Sequence, residues 1–85
     1  VKKKISLSAS TDIDNILAQV EEEYKEEKLN RTDGLRIDFA EGWVHLRKSN
    51  TEPIIRIYTE SVTQQKADDL AMKIIKEIQE IASIK

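Results

Sequence analysis

An α+β fold of two layers is predicted: an antiparallel four-stranded sheet backed by two helices, in the order β-α-β-β-β-α. Two periodicities predict it. Apolar residues alternate at Ile5 and Leu7, at Leu35, Ile37 and Phe39, at Val44 and Leu46, and at Ile55 and Ile57, as in strands with one buried face. They recur at helical spacing over Ile13, Ile16, Leu17, Val20 and Tyr24, and again over Ala67, Leu70, Ala71, Ile74, Ile78 and Ile81. The last three strand-like runs are joined by tight polar turns, and antiparallel strands are the ones such turns can join.

Taken in order, Lys2-Lys3-Lys4 precedes Ile5 on the first strand. The triplet can be a polyanion-binding arm; on an edge strand lysines more often prevent edge-to-edge pairing. Ser10-Thr11-Asp12 supplies caps for the first helix, whose other face carries Glu21, Glu22, Glu23, Glu26 and Glu27. Spread around a helix, these carboxylates lack metal-ligand geometry and read as a solvated face. Asn30-Arg31-Thr32 matches a glycosylation sequon that is incidental without a secretion signal. Asp33-Gly34 marks a turn, and Ala40-Glu41-Gly42 a hairpin turn in which Gly42 can take positive φ. Trp43 and His45 share a strand face opposite Val44 and Leu46. Trp43 could stack on a sugar, although covering the sheet is its simpler role. His45, the one histidine, has no serine or cysteine partner at a recognisable spacing and reads as a sheet-surface residue, not a general base. Ser61 or Thr63 begins the last helix, with Met72 and Ile75 flanking its stripe.

Length and composition bound the function. Eighty-five residues make one small domain with a thin core and no room for a cleft between lobes. Hydrophobic residues at 39% beside 35% charged ones fit a soluble globular domain. A formal charge of −2 gives no general affinity for nucleic acid. The absence of cysteine excludes disulfides and thiolate metal sites and fits an intracellular, cytoplasmic protein. No apolar run reaches the roughly 20 residues that span a bilayer, so no membrane partner is expected. A chain beginning at Val1 without methionine is expected to be cut from a longer protein.

The richest stretch is Arg47-Lys48-Ser49-Asn50-Thr51-Glu52-Pro53, followed by Ile54-Ile55-Arg56. Guanidinium forks match phosphate oxygens, hydroxyls can donate between them, and a tight loop turns several backbone N–H groups toward one point. The composition reads as a phosphate cradle. It also fits an ordinary turn, because Asn and Ser bond their own backbone and Pro fixes φ.

Arg47-x-Ser49-Asn50-Thr51-Glu52-Pro53-x-x-Arg56, with Asp33-Gly34 ahead and Glu60 after, closely resembles the C-terminal domain of the α-D-phosphohexomutases. That family includes phosphoglucomutase, phosphomannomutase and phosphoglucosamine mutase. The resemblance covers nearly the whole chain and implies a sheet-and-helix arrangement like half of the TATA-box-binding fold. It implies a function in carbohydrate metabolism, the interconversion of hexose 1-phosphates and 6-phosphates through a bisphosphorylated intermediate. A phosphoserine and a magnesium ion, both held in other domains of the parent enzyme, carry the transfer; neither motif occurs here, so the isolated chain is expected to be inactive, with no catalytic and no metal-binding residue. Arg47, Ser49, Asn50, Thr51 and Arg56 are implied to hold the phosphate that is not being transferred. Glu52 and Pro53 shape the loop. Asn50 stands where many relatives carry glycine, and a sharp turn could survive because Asn enters left-handed backbone readily.

Two other readings stand beside this one. The first is a stand-alone module binding a phosphorylated ligand or nucleic acid, disfavoured because Arg36, Arg47, Lys48 and Arg56 are outnumbered by Asp33, Asp38, Glu41, Glu52 and Glu60 across residues 35–60 and the preceding turn. The second is a structural or oligomerising domain. Which hexose the parent uses lies outside this chain.

Overall fold

The computed structural model describes residues 1–32 and 34–84. The elements are β1 (Lys2–Ser6), α1 (Ile13–Glu23), β2 (Lys28–Asn30), β3 (Leu35–Phe39), β4 (Gly42–Lys48), β5 (Ile54–Ser61) and α2 (Gln64–Ile84). The strands form one antiparallel sheet in the order β1-β5-β4-β3-β2, with β1 returning to the edge beside β5.

The α+β class, the antiparallel sheet and the two helices are as expected; the strand count is not. The fifth strand, β2, has only three residues and one apolar side chain, Leu29, so it carries no alternation of its own. It exists because β3 offers a free edge: Leu29 lies opposite Ile37, and Lys28 opposite Asp38, an oppositely charged cross-strand pair.

The periodicities resolve into one core. Ile37, Val44, Leu46, Ile55 and Ile57 from the sheet, Val20 from α1 and Ala71, Ile74 and Ile78 from α2 are all 0% exposed. Thr59 is the buried polar side chain among the described residues, and its hydroxyl donates to the Ala67 carbonyl at 2.7 Å. That bond ties the end of β5 to the first turn of α2.

Both helix starts follow the sequence. Asp12 caps α1, its Oδ1 accepting from the Asn15 N–H at 3.1 Å. Thr63, rather than Ser61, caps α2, its Oγ1 accepting from the Lys66 N–H at 3.1 Å. Thr63→Ala therefore lowers stability by about 1 kcal/mol, read from thermal melts, and leaves phosphate affinity unchanged. Beyond α1, Tyr24 meets Phe39 edge to face, with ring centroids 5.6 Å apart, and donates to the Glu77 carboxylate, 2.6 Å from Oε2. Burial, then the bond to Glu77, pushes its phenol above the usual tyrosine range.

The glycines act differently from each other. Gly34 is left-handed at φ 81°, and a Cβ there would collide with the Leu46 carbonyl. Asp33, its expected turn partner, lies outside the described residues. Gly42, expected to supply positive φ, does not. It is needed for closeness: a Cβ would collide with the Glu60 carbonyl across the β4–β5 ladder. Asn50 is not left-handed either, since no described non-glycine residue has positive φ; the loop turns without that conformation.

Candidate functional site

Strand alternation sorts the sheet into two faces. Val44, Leu46, Ile55 and Ile57 face the helices, so Trp43, His45, Arg47, Arg56 and Tyr58 share the open face. Arg47 and Arg56, nine residues apart in the sequence, are direct register partners on β4 and β5, and both are exposed. Like charges directly opposite on antiparallel strands repel.

The loop between the two strands is open to solvent. Lys48, Asn50, Thr51 and Glu52 are exposed, and Ser49 and Pro53 are half-buried. Its base is fixed at three points: the Ser49 N–H donates to the Ile54 carbonyl at 3.1 Å, the Ile54 N–H to the Glu52 carbonyl at 2.8 Å, and the Leu7 N–H to the Pro53 carbonyl at 2.7 Å. Ile54 shares the strand face of Arg56 yet is only 6% exposed, so an apolar residue sits at the foot of the loop.

At the loop's centre, the Thr51 and Glu52 N–H groups both point at Ser49 Oγ, at 3.2 and 3.3 Å, and Thr51 Oγ1 lies 3.3 Å from the same atom. Two N–H groups converging on one oxygen can serve an anion's oxygen equally well, as concave N–H arrays do. Ser49 and Thr51 are therefore brought together. Asn50 joins Arg47 along a groove of about 500 Å³ that runs past Gly34, Arg31 and the Asp14–Glu21 side of α1. Arg56 lines a different hollow, on the open face. The five expected residues thus surround one corner of the sheet without lining a single cavity.

Neighbouring charges organise that corner. Lys48 leaves the loop to pair with Asp14 at 2.8 Å, and Arg31 pairs with Glu21 at 3.0 Å. Lys48 is accordingly drawn to α1 and away from Arg56. Further along the open face the Arg36 guanidinium stands 4.6 Å from the Trp43 ring centroid, and the His45 and Tyr58 rings lie 6.3 Å apart. Trp43 and His45 are half-buried sheet-surface residues, as their alternation predicts. Among the described residues no three His, Asp or Glu side chains converge as metal ligands. No helix is long and apolar enough to cross a membrane.

The family model for the phosphoglucomutase/phosphomannomutase C-terminal domain matches residues 4–77. The chain belongs to this family. A phosphoglucomutase/phosphomannomutase from Thermococcus kodakarensis is 45% identical over 67 residues, 73% of this chain and 15% of that protein. A phosphomannomutase from Salmonella typhimurium is 47% identical over 47 residues, 53% of this chain and 10% of that one. A probable phosphoglucosamine mutase from Pyrococcus horikoshii is 31% identical over 88 residues, covering 92% of this chain and 20% of the relative. The chain therefore spans a fifth or less of these relatives' length. The full-length homologues carry mutase names across all three sugar types, which leaves the hexose open.

Proposed function

We propose that this chain is the phosphate-clamping domain of a longer, cytoplasmic phosphohexomutase that interconverts hexose 1-phosphate and 6-phosphate through a bisphosphorylated intermediate. The observation that carries the proposal is the pairing of Arg47 with Arg56 across β4 and β5, beside an exposed loop whose N–H groups converge. Family membership supports the same reading. Arg47 forks onto the phosphate that is not being transferred, and Arg56 approaches from the next strand. The Ser49 and Thr51 hydroxyls, the Asn50 amide and the loop N–H groups complete the oxygen contacts.

This chain's contribution is positioning. A sugar held by its remote phosphate presents its reacting oxygen in one orientation, and the binding energy of the remote group can be used in the transition state. The phosphoserine and the magnesium ion belong to the other domains of the parent, which are the chain's expected partners along with the phosphosugar.

The purified 85-residue chain is expected to melt cooperatively by circular dichroism and to show no conversion of glucose 1-phosphate above blank, while the longer protein containing it turns over. Turnover by the chain alone would refute this division of labour.

A further inference from the structure

The lysine triplet of β1 is split by the pleat. Lys3 turns toward the helices and pairs with Asp68 of α2 at 3.2 Å. Lys2 and Lys4 stay exposed on the open face, where Lys4 is the register partner of Arg56 and Lys2 of Tyr58. Arg56 is in turn the partner of Arg47, so Lys4, Arg56 and Arg47 form one row across β1, β5 and β4. Among the described residues neither Lys4 nor Arg56 has a carboxylate partner. Lys2, Lys3, Lys4, Arg56 and Tyr58 line a shallow hollow of about 240 Å³, with the Lys3 ammonium held away from it by Asp68.

Edge protection does not account for this row. A lysine protects an edge wherever it stands on the strand, whereas Lys4 opposite Arg56 adds repulsion to a pair that already repels. An oxyanion bound over the row removes that repulsion. Strands lie about 4.8 Å apart, so the outer members of the row start roughly 10 Å from each other at the backbone. Lys4 and Arg56 border one hollow, and side chains of their length can close on an anion over it.

We propose that Lys4 is a positioning residue of the phosphate site, extending the cradle across β5 onto β1 and holding the phosphoryl group from the side opposite Arg47. This rests on the cradle reading above. The chemistry recognised is a phosphate dianion, whether free or carried on a sugar.

The test is a nuclear magnetic resonance titration of the 85-residue chain with inorganic phosphate and with glucose 6-phosphate. Lys4→Gln is compared with Lys3→Gln, which removes the same charge from the same strand on the opposite face, and with Arg47→Lys. Lys4→Gln is expected to weaken both ligands about twofold to fivefold, in keeping with one exposed charge contact. Lys3→Gln should leave them unchanged. Equal weakening by the two lysine variants would reduce the effect to net charge and overturn the proposal. Wild-type affinity in Lys4→Gln with loss in Arg47→Lys would overturn it while leaving the cradle standing; wild-type affinity in both would remove the cradle too. Shifts that never saturate, up to roughly 100 mM phosphate, would also overturn the role of Lys4.

Discussion

Replacing Arg47 by lysine in the longer mutase is expected to lower kcat/KM at least about tenfold, or about 1.4 kcal/mol of transition-state binding. Lysine keeps the charge and loses the planar pair of donors that fits two phosphate oxygens at once. The melting temperature should barely change, because Arg47 is exposed and surface substitutions of this kind stay within about 0.5 kcal/mol. Steady-state kinetics and melts on the same preparation separate the two effects, and Thr63→Ala provides the opposite pattern.

Ile74→Ala should do the reverse of Arg47→Lys. Ile74 is 0% exposed in the middle of α2, within the core shared by both layers. Truncation removes apolar contact and leaves a cavity that a two-layer domain cannot readily close, a loss of about 2–5 kcal/mol. A domain of this size holds roughly 5–10 kcal/mol in all, so the variant should melt at least about 10 °C lower. The 85-residue chain suffices for that measurement. A variant melting within 2 °C of the wild type, about half a kcal/mol, would mean that α2 is not packed on the sheet as described.

Much of the fold was legible because each long element carries its own period. Leu35, Ile37 and Phe39 announced β3, and the Ala67–Ile81 stripe announced α2, without reference to anything else. β2 was not legible, since three residues with one leucine have no period, and only the edge of β3 makes them a strand. Gly42 was read for its backbone freedom, when its real constraint is the Glu60 carbonyl from a strand that sequence reading could not yet place.

The loop was legible as a polar turn between two strands. What sequence could not supply was the row it belongs to. Counting charges over residues 35–60 gives a surface that is not basic, because it leaves out Lys2 and Lys4. These join Arg56 and Arg47 only once β1 pairs with β5, some fifty residues away in the chain. Lys48, by contrast, counted as part of the loop's positive charge and is spent on Asp14.

The most direct test is a crystal structure of the longer mutase with a hexose bisphosphate bound. The phosphate remote from the catalytic serine should lie against the Arg47 guanidinium and the Ser49–Thr51 loop, with Arg56 within hydrogen-bonding reach. A remote phosphate gripped wholly by residues outside this chain, with that loop left in solvent, would contradict the clamp.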